Sequence, residues 1–181
     1  MSRARSAEKL KLRTERPSMN NNSTPDQDRK LLRHTVATVA YRGEKAVRNA
    51  PASFAAFQAH EGVRTPAQIL AHMGDLFDWA LSMAKGKREW HDSKPLPWEQ
   101  EVERFFAALQ RSDDYLASAE PLHAPAEKLF QGPIADALTH IGQIAILRRL
   151  ARAPVKRENY FVAEITVGRV GADQKPPKRE L

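Results

Sequence analysis

The chain contains no cysteine. That excludes disulfides, thiolate zinc sites and a cysteine nucleophile, and it is compatible with a reducing compartment. No apolar run approaches the ~20 residues that a membrane-spanning helix needs. No apolar stretch follows the basic start, as a secretory leader would require. The expected setting is therefore the cytoplasm, with no membrane partner. Glycine is scarce, at 8 of 181 residues, and none of it forms a phosphate-cradling loop. There is also no internal repeat.

Positive charge is present but uneven. The formal charge is +7, and residues 1–16 alone carry +4 of it. Such a tail can touch nucleic acid or anionic lipid. No aromatic residue is interleaved with the basic ones to stack on bases, so nucleic acid is not the expected partner. Residues 1–23 end in a polar, aperiodic run and read as a disordered basic tail.

Four amphipathic helices follow. Thr24-Pro25-Asp26-Gln27 and Thr65-Pro66-Ala67-Gln68 are the same start signal: a threonine cap, proline at the first helical position and glutamine three residues after the cap. The first helix is expected to run to about Asn49. Leu32, Val36, Val39, Ala40, Ala46 and Val47 face inward on it. Residues 50–64 are long for a connection, with Phe54 and Phe57 as anchors, so the second helix is not simply folded back on the first. That helix runs to Gly86, which suits a left-handed cap. His72 falls within its apolar stripe, between Ile69 and Leu76. A third helix is expected over Pro97–Ala119, with Glu99, Glu101, Glu103 and Arg104 on its wet face. Gly132-Pro133 reads as the entry to the last helix, which ends before Pro154. Residues 155–181 read as an extended C-terminal segment, with at most one short strand and a frayed end. These elements point to an all-α fold, a four-helix bundle over residues 24–154.

The last helix carries an apolar row of Ile134, Leu138, Ile141 and Ala145, and beside it a second row of Asp136, His140, Gln143 and Leu147. Residues four apart share a helix face. A carboxylate and an imidazole thus point the same way, and a buried ionisable pair is costly unless something satisfies it. A divalent metal would do so. Bundles assemble metal sites from inward side chains on facing helices, so the expected ligands are His72, Asp136 and His140, with Gln143 orienting a ligand or bound water. Two nitrogens and one oxygen suit zinc, nickel, iron or manganese. The bland alternatives are a satisfied core histidine at 72, an Asp136 placed by the helix dipole, and a plain hydrogen bond between Asp136 and His140. His34, His60, His91 and His123 lie on polar segments and read as solvated. Trp79, Trp90 and Trp98 read as packing residues, with Trp79 able to line the site.

THIGQIAILRRLARAP resembles the last helix of the DinB-like superfamily, with its His-x-Gly-Gln and arginine-containing end, and LAHMGDLFDWAL resembles that family's second helix. The resemblance spans roughly residues 25–155. It implies a four-helix bundle with a long crossover connection, a homodimer, and a metal site of three histidines. His72 and His140 match two of these. Asp136 stands where the family has its third histidine. The implied function is a metal-dependent enzyme acting on a small molecule, with a low-molecular-weight thiol or water activated at the metal, as a transferase, isomerase or hydrolase. The competing reading is a non-catalytic binding or stress-response module of the same fold that has lost its metal.

Overall fold

The computed structural model describes residues 25–181. The basic tail and the Thr24 cap lie outside the described residues. The helices are α1 (Pro25–Val47), α2 (Pro66–Ala84), α3 (Trp98–Ala117), α4 (Ala126–Leu129) and α5 (Ala135–Leu150), the last two joined by a π-helical turn at Phe130–Ile134. The fold is all-helical. Among the described residues the only β-type pairing is one isolated bridge, Glu158 to Glu180, and no helix is long and apolar enough to cross a membrane.

The start signal at Thr65 closes as a reciprocal capping box. Gln68 N–H donates to Thr65 Oγ1 at 3.3 Å, and Thr65 N–H donates to Gln68 Oε1 at 2.8 Å. At the other end of α2, Gly86 takes φ +82°. Lys87 N–H then reaches Ser82 O and Gly86 N–H reaches Met83 O, which together terminate the helix. Helix α1 stops two residues short of the expected Asn49, which itself takes φ +53°. Its last carbonyls are covered by Arg148 of α5, whose guanidinium donates to Ala46 O, Arg48 O and Asn49 O. That geometry buries Arg148 to 5% exposure.

Helix α1 packs mainly against α3 and α5, and α2 also packs against α3 and α5. Helices consecutive in sequence, α1 and α2, therefore stand on a diagonal, and the long connection between them crosses one end of the assembly. Val36 and Val39 from α1, Leu70, Met73 and Phe77 from α2, Phe105 and Leu109 from α3, and Ile141 and Ile144 from α5 fill the common core. Phe54, in the connection, is also fully buried there, edge-on to Trp98. Arg33 ties α1 to α3 through a two-pronged pair with Asp113, both bonds at 2.9 Å.

Three sequence expectations need correction. The last helix does not begin at Gly132-Pro133 but at Ala126, and Pro133 lies inside the π turn. In a regular α-helix the proline ring would collide with the carbonyl four residues back. The wider i to i+5 turn removes that collision. The extra residue also rotates everything after it by about 100°, which sets the direction of Asp136 and His140. Secondly, Glu101 and Arg104 are not on a wet face. Glu101 is fully buried, accepting from Leu96 N–H at 2.8 Å and from Arg104 Nε at 2.7 Å. Thirdly, the C-terminal end, expected to fray, is tied back. Leu181 N–H donates to Arg157 O, and Glu180 pairs with Lys156 at 3.0 Å.

Candidate metal centre

His72 projects from the middle of α2, and Asp136 and His140 from adjacent turns of α5. The packing of α2 on α5 brings the three together. Asp136 Oδ2 lies 3.6 Å from His72 Nε2, and its Oδ1 lies 3.5 Å from His140 Nε2. The two imidazoles stand at right angles with centres 4.8 Å apart. One donor atom from each residue falls in a group no wider than 4.8 Å. A tetrahedral ion about 2.0–2.2 Å from nitrogen and oxygen donors holds them roughly 3.3 Å apart. The carboxylate-to-imidazole distances are already close to that spacing, so the donor set fits a divalent cation with a small inward movement of the imidazoles.

The surroundings orient the donors. His140 Nδ1–H donates to Gln143 Oε1 at 2.9 Å. That fixes the tautomer and leaves the Nε2 lone pair facing Asp136. His140 is buried and His72 half-buried. The His72 imidazole is held below the ordinary histidine range, by burial first and then by the charges of His140 and Arg64, with Asp136 opposing. It is therefore neutral, and able to donate a lone pair, over a wider pH range than a free histidine.

A polar network holds the wall behind His72. Arg104 donates to Asp75 Oδ1 at 2.9 Å and to Ala71 O, the carbonyl preceding His72. Gly74 makes room for this. A Cβ there would sit 3.0 Å from the guanidinium. Asp75 in turn accepts from the Ser93 backbone N–H and hydroxyl, at 2.9 and 2.7 Å. Residue 93 is thereby anchored, and with it the loop between α2 and α3, which lays Trp90 edge-on to both His72 and Trp79.

Three cavities open onto the donors. One of about 320 Å³ reaches His72, one of about 390 Å³ reaches Asp136 beside Trp79 and Thr139, and one of about 500 Å³ reaches His140. The Asp136 side chain is 47% exposed. The centre is accessible to a small molecule on its Asp136 side.

All four residues expected at the centre are thus adjacent. The remaining histidines, 34, 60, 91 and 123, are exposed, as expected. The sequence reading missed three contributors: Trp90 against His72, the Asp75–Arg104 support, and Arg64. Trp90 and Arg64 sit in aperiodic connections, where spacing carries no signal. No protein-family model, curated protein or solved structure matches this chain.

Proposed function

We propose that this protein is a metal-dependent enzyme of the DinB-like type, holding a divalent cation on His72, Asp136 and His140 and activating water or a low-molecular-weight thiol. The observation that carries the reading is the convergence of two imidazoles and a carboxylate, from positions on two helices more than sixty residues apart in sequence, within 4.8 Å. The diagonal placement of α1 and α2 across a long connection also agrees with a four-helix bundle of that kind.

The roles of the side chains follow from their contacts. His140, its Nδ1–H engaged by Gln143, presents Nε2 as a donor of fixed direction. His72 contributes a second neutral nitrogen. Asp136 contributes the anionic oxygen and is half exposed. Trp90 packs edge-on against His72 and is itself backed by Trp79. A divalent cation bound there supplies Lewis acidity, lowering the pKa of a coordinated water or thiol into the neutral range. The non-catalytic reading predicts a centre closed to solvent, and the exposure of Asp136 counts against it.

Elemental analysis of protein purified without a histidine tag tests the proposal. About one zinc, nickel, iron or manganese per chain is expected, lost in His72→Ala. Protein that is metal-free and takes up none of these ions on titration overturns it.

A further inference from the structure

Arg64, the residue before the Thr65 cap, borders two of the cavities at the centre. It forms a wall of the cavity at His72 and a wall of the cavity at His140. Its guanidinium makes no hydrogen bond or ion pair with any described residue. Other arginines around the core are engaged: Arg33 with Asp113, Arg104 with Asp75 and Glu101, Arg148 with backbone carbonyls. Arg64 is exposed, and its charge disfavours protonation of His72 and opposes a cation in the centre. An anion lying between them reverses the sign of that interaction.

The two cavities differ in what they accept. The one at His72 is walled by polar groups of both signs, Asp92 and Lys94 among them, with Pro95 its only apolar residue, so it offers no surface to a hydrocarbon body. The one at His140 has no acidic residue on its walls. Apart from Arg64, His140 and Gln143, it is lined by Ile69, Ile146, Leu147, Leu150 and other apolar side chains. Ile146 and Leu150 are 55% and 57% exposed there, apolar surface on α5 that a ligand's hydrocarbon would cover. Its volume, about 500 Å³, is that of a small-molecule site.

We infer that the cavity beside His140 is the substrate cleft and that it takes a small amphipathic carboxylate, with the anionic group on Arg64 and the hydrocarbon body along Ile69, Ile146 and Leu150. This rests on the metal reading above, since the cleft borders the proposed centre at His140. The guanidinium fork suits a carboxylate, which it can hold by two parallel hydrogen bonds.

The test is calorimetric titration of octanoate, acetate and octylammonium into the full chain, both zinc-loaded and stripped with EDTA. Octanoate is expected to bind at one site, acetate at least tenfold more weakly because it lacks the body, and octylammonium not measurably. Arg64→Gln is expected to weaken octanoate about tenfold or more, the loss of a charge-assisted pair, with zinc stoichiometry unchanged. Arg64→Lys restores part of it. Ile146→Asp, on an exposed helix face that does not threaten folding, also abolishes octanoate binding. Equal octanoate binding by Arg64→Gln overturns the inference, as does octylammonium binding as tightly as octanoate. So does absence of octanoate binding with light scattering showing a dimer that Ile146→Asp dissociates, for then a second copy of the chain covers the groove. Arg64-dependent octanoate binding by a protein that takes up no zinc overturns the metal reading and leaves this one standing.

Discussion

His140 and Gln143, one turn apart on α5, are joined by a 2.9 Å hydrogen bond from Nδ1 to Oε1. The bond leaves Nε2 as the free lone pair and aims it at Asp136. Removing the acceptor frees the ring to rotate and to change tautomer. Gln143→Ala is expected to lower zinc affinity about 10- to 100-fold, the usual cost of losing such a partner. Gln143→Glu keeps the acceptor and should retain affinity. Competition with a chromophoric chelator measures both.

Asp136 tests the donor set by charge and by count. Asp136→Asn removes the carboxylate charge, whose two oxygens stand within 3.6 Å of the two Nε2 atoms, one each. Asp136→His preserves three donors. The expected order of zinc affinity is Asp136→His at or above the parent, and Asp136→Asn well below it. Equal affinity for the parent and Asp136→Asn would show that the carboxylate is not a ligand.

The same carboxylate also opposes the lowering of the His72 pKa. Burial, His140 and Arg64 hold that imidazole below the ordinary range, while Asp136 pulls it up. In metal-free Asp136→Asn the opposing pull is gone, so His72 should titrate at a still lower pH. The sign carries into stability. Unfolded His72 takes up a proton at its ordinary pKa of about 6.5, before the folded form does. This group's contribution is therefore full above that range and is lost as pH falls below it. NMR titration of the imidazole protons in parent and variant checks the shift. An upward move in Asp136→Asn contradicts it.

Much of this arrangement was legible from spacing. The capping box at Thr65, the stripe containing His72 and the four-residue step from Asp136 to His140 are local patterns, and each maps to the expected place. What spacing could not show depends on tertiary partners. Gly132-Pro133 reads as a helix start because a proline lacks its N–H. The single turn before it is too short to display a period, so the π turn is hidden. Glu101 looks solvated beside Glu99 and Glu103, and only the arrival of Leu96 N–H and Arg104 makes its burial affordable. Arg64 and Trp90 lie in connections without periodicity, and their place at the centre follows from where the chain is pinned.

Asp75 is one of those pins. Its side chain is 2% exposed. Burial works to raise its pKa, but the Ser93 N–H, the Arg104 guanidinium and the Ser93 hydroxyl together bring it below the usual aspartate value. A depressed carboxylate stabilises the fold above its unfolded pKa and loses that contribution as pH falls through the folded one. Asp75→Ala leaves Arg104 short of a partner, at a cost of about 3 kcal/mol. It also frees Ser93, so the Trp90 contact with His72 should loosen. Urea denaturation at neutral pH and near pH 3 gives the first effect. The stability difference between parent and Asp75→Ala should shrink in acid. Tryptophan fluorescence reports the second.

A second buried network sits far from the metal donors and makes a separate prediction. Lys45 of α1 pairs with Glu158 at 2.8 Å, and Tyr41 donates its hydroxyl to the same carboxylate at 2.6 Å. Burial, and then Glu158, push the Tyr41 hydroxyl well above its ordinary pKa. Both members of the ion pair are almost fully enclosed, at 5% and 0% side-chain exposure. Glu158→Ala leaves the Lys45 ammonium only its longer contact with Glu180, at 3.6 Å, and the expected loss is about 3 kcal/mol. The triple variant Tyr41→Phe, Lys45→Met, Glu158→Met removes the three enclosed polar groups and leaves Glu180 paired with Lys156. It should recover most of the loss, because an enclosed ion pair gains little over a well-packed apolar one once desolvation is counted. Denaturation midpoints distinguish the two. If the triple variant is as unstable as Glu158→Ala, the pair contributes net attraction rather than mutual neutralisation, and residues 155–181 are held to α1 chiefly by charge.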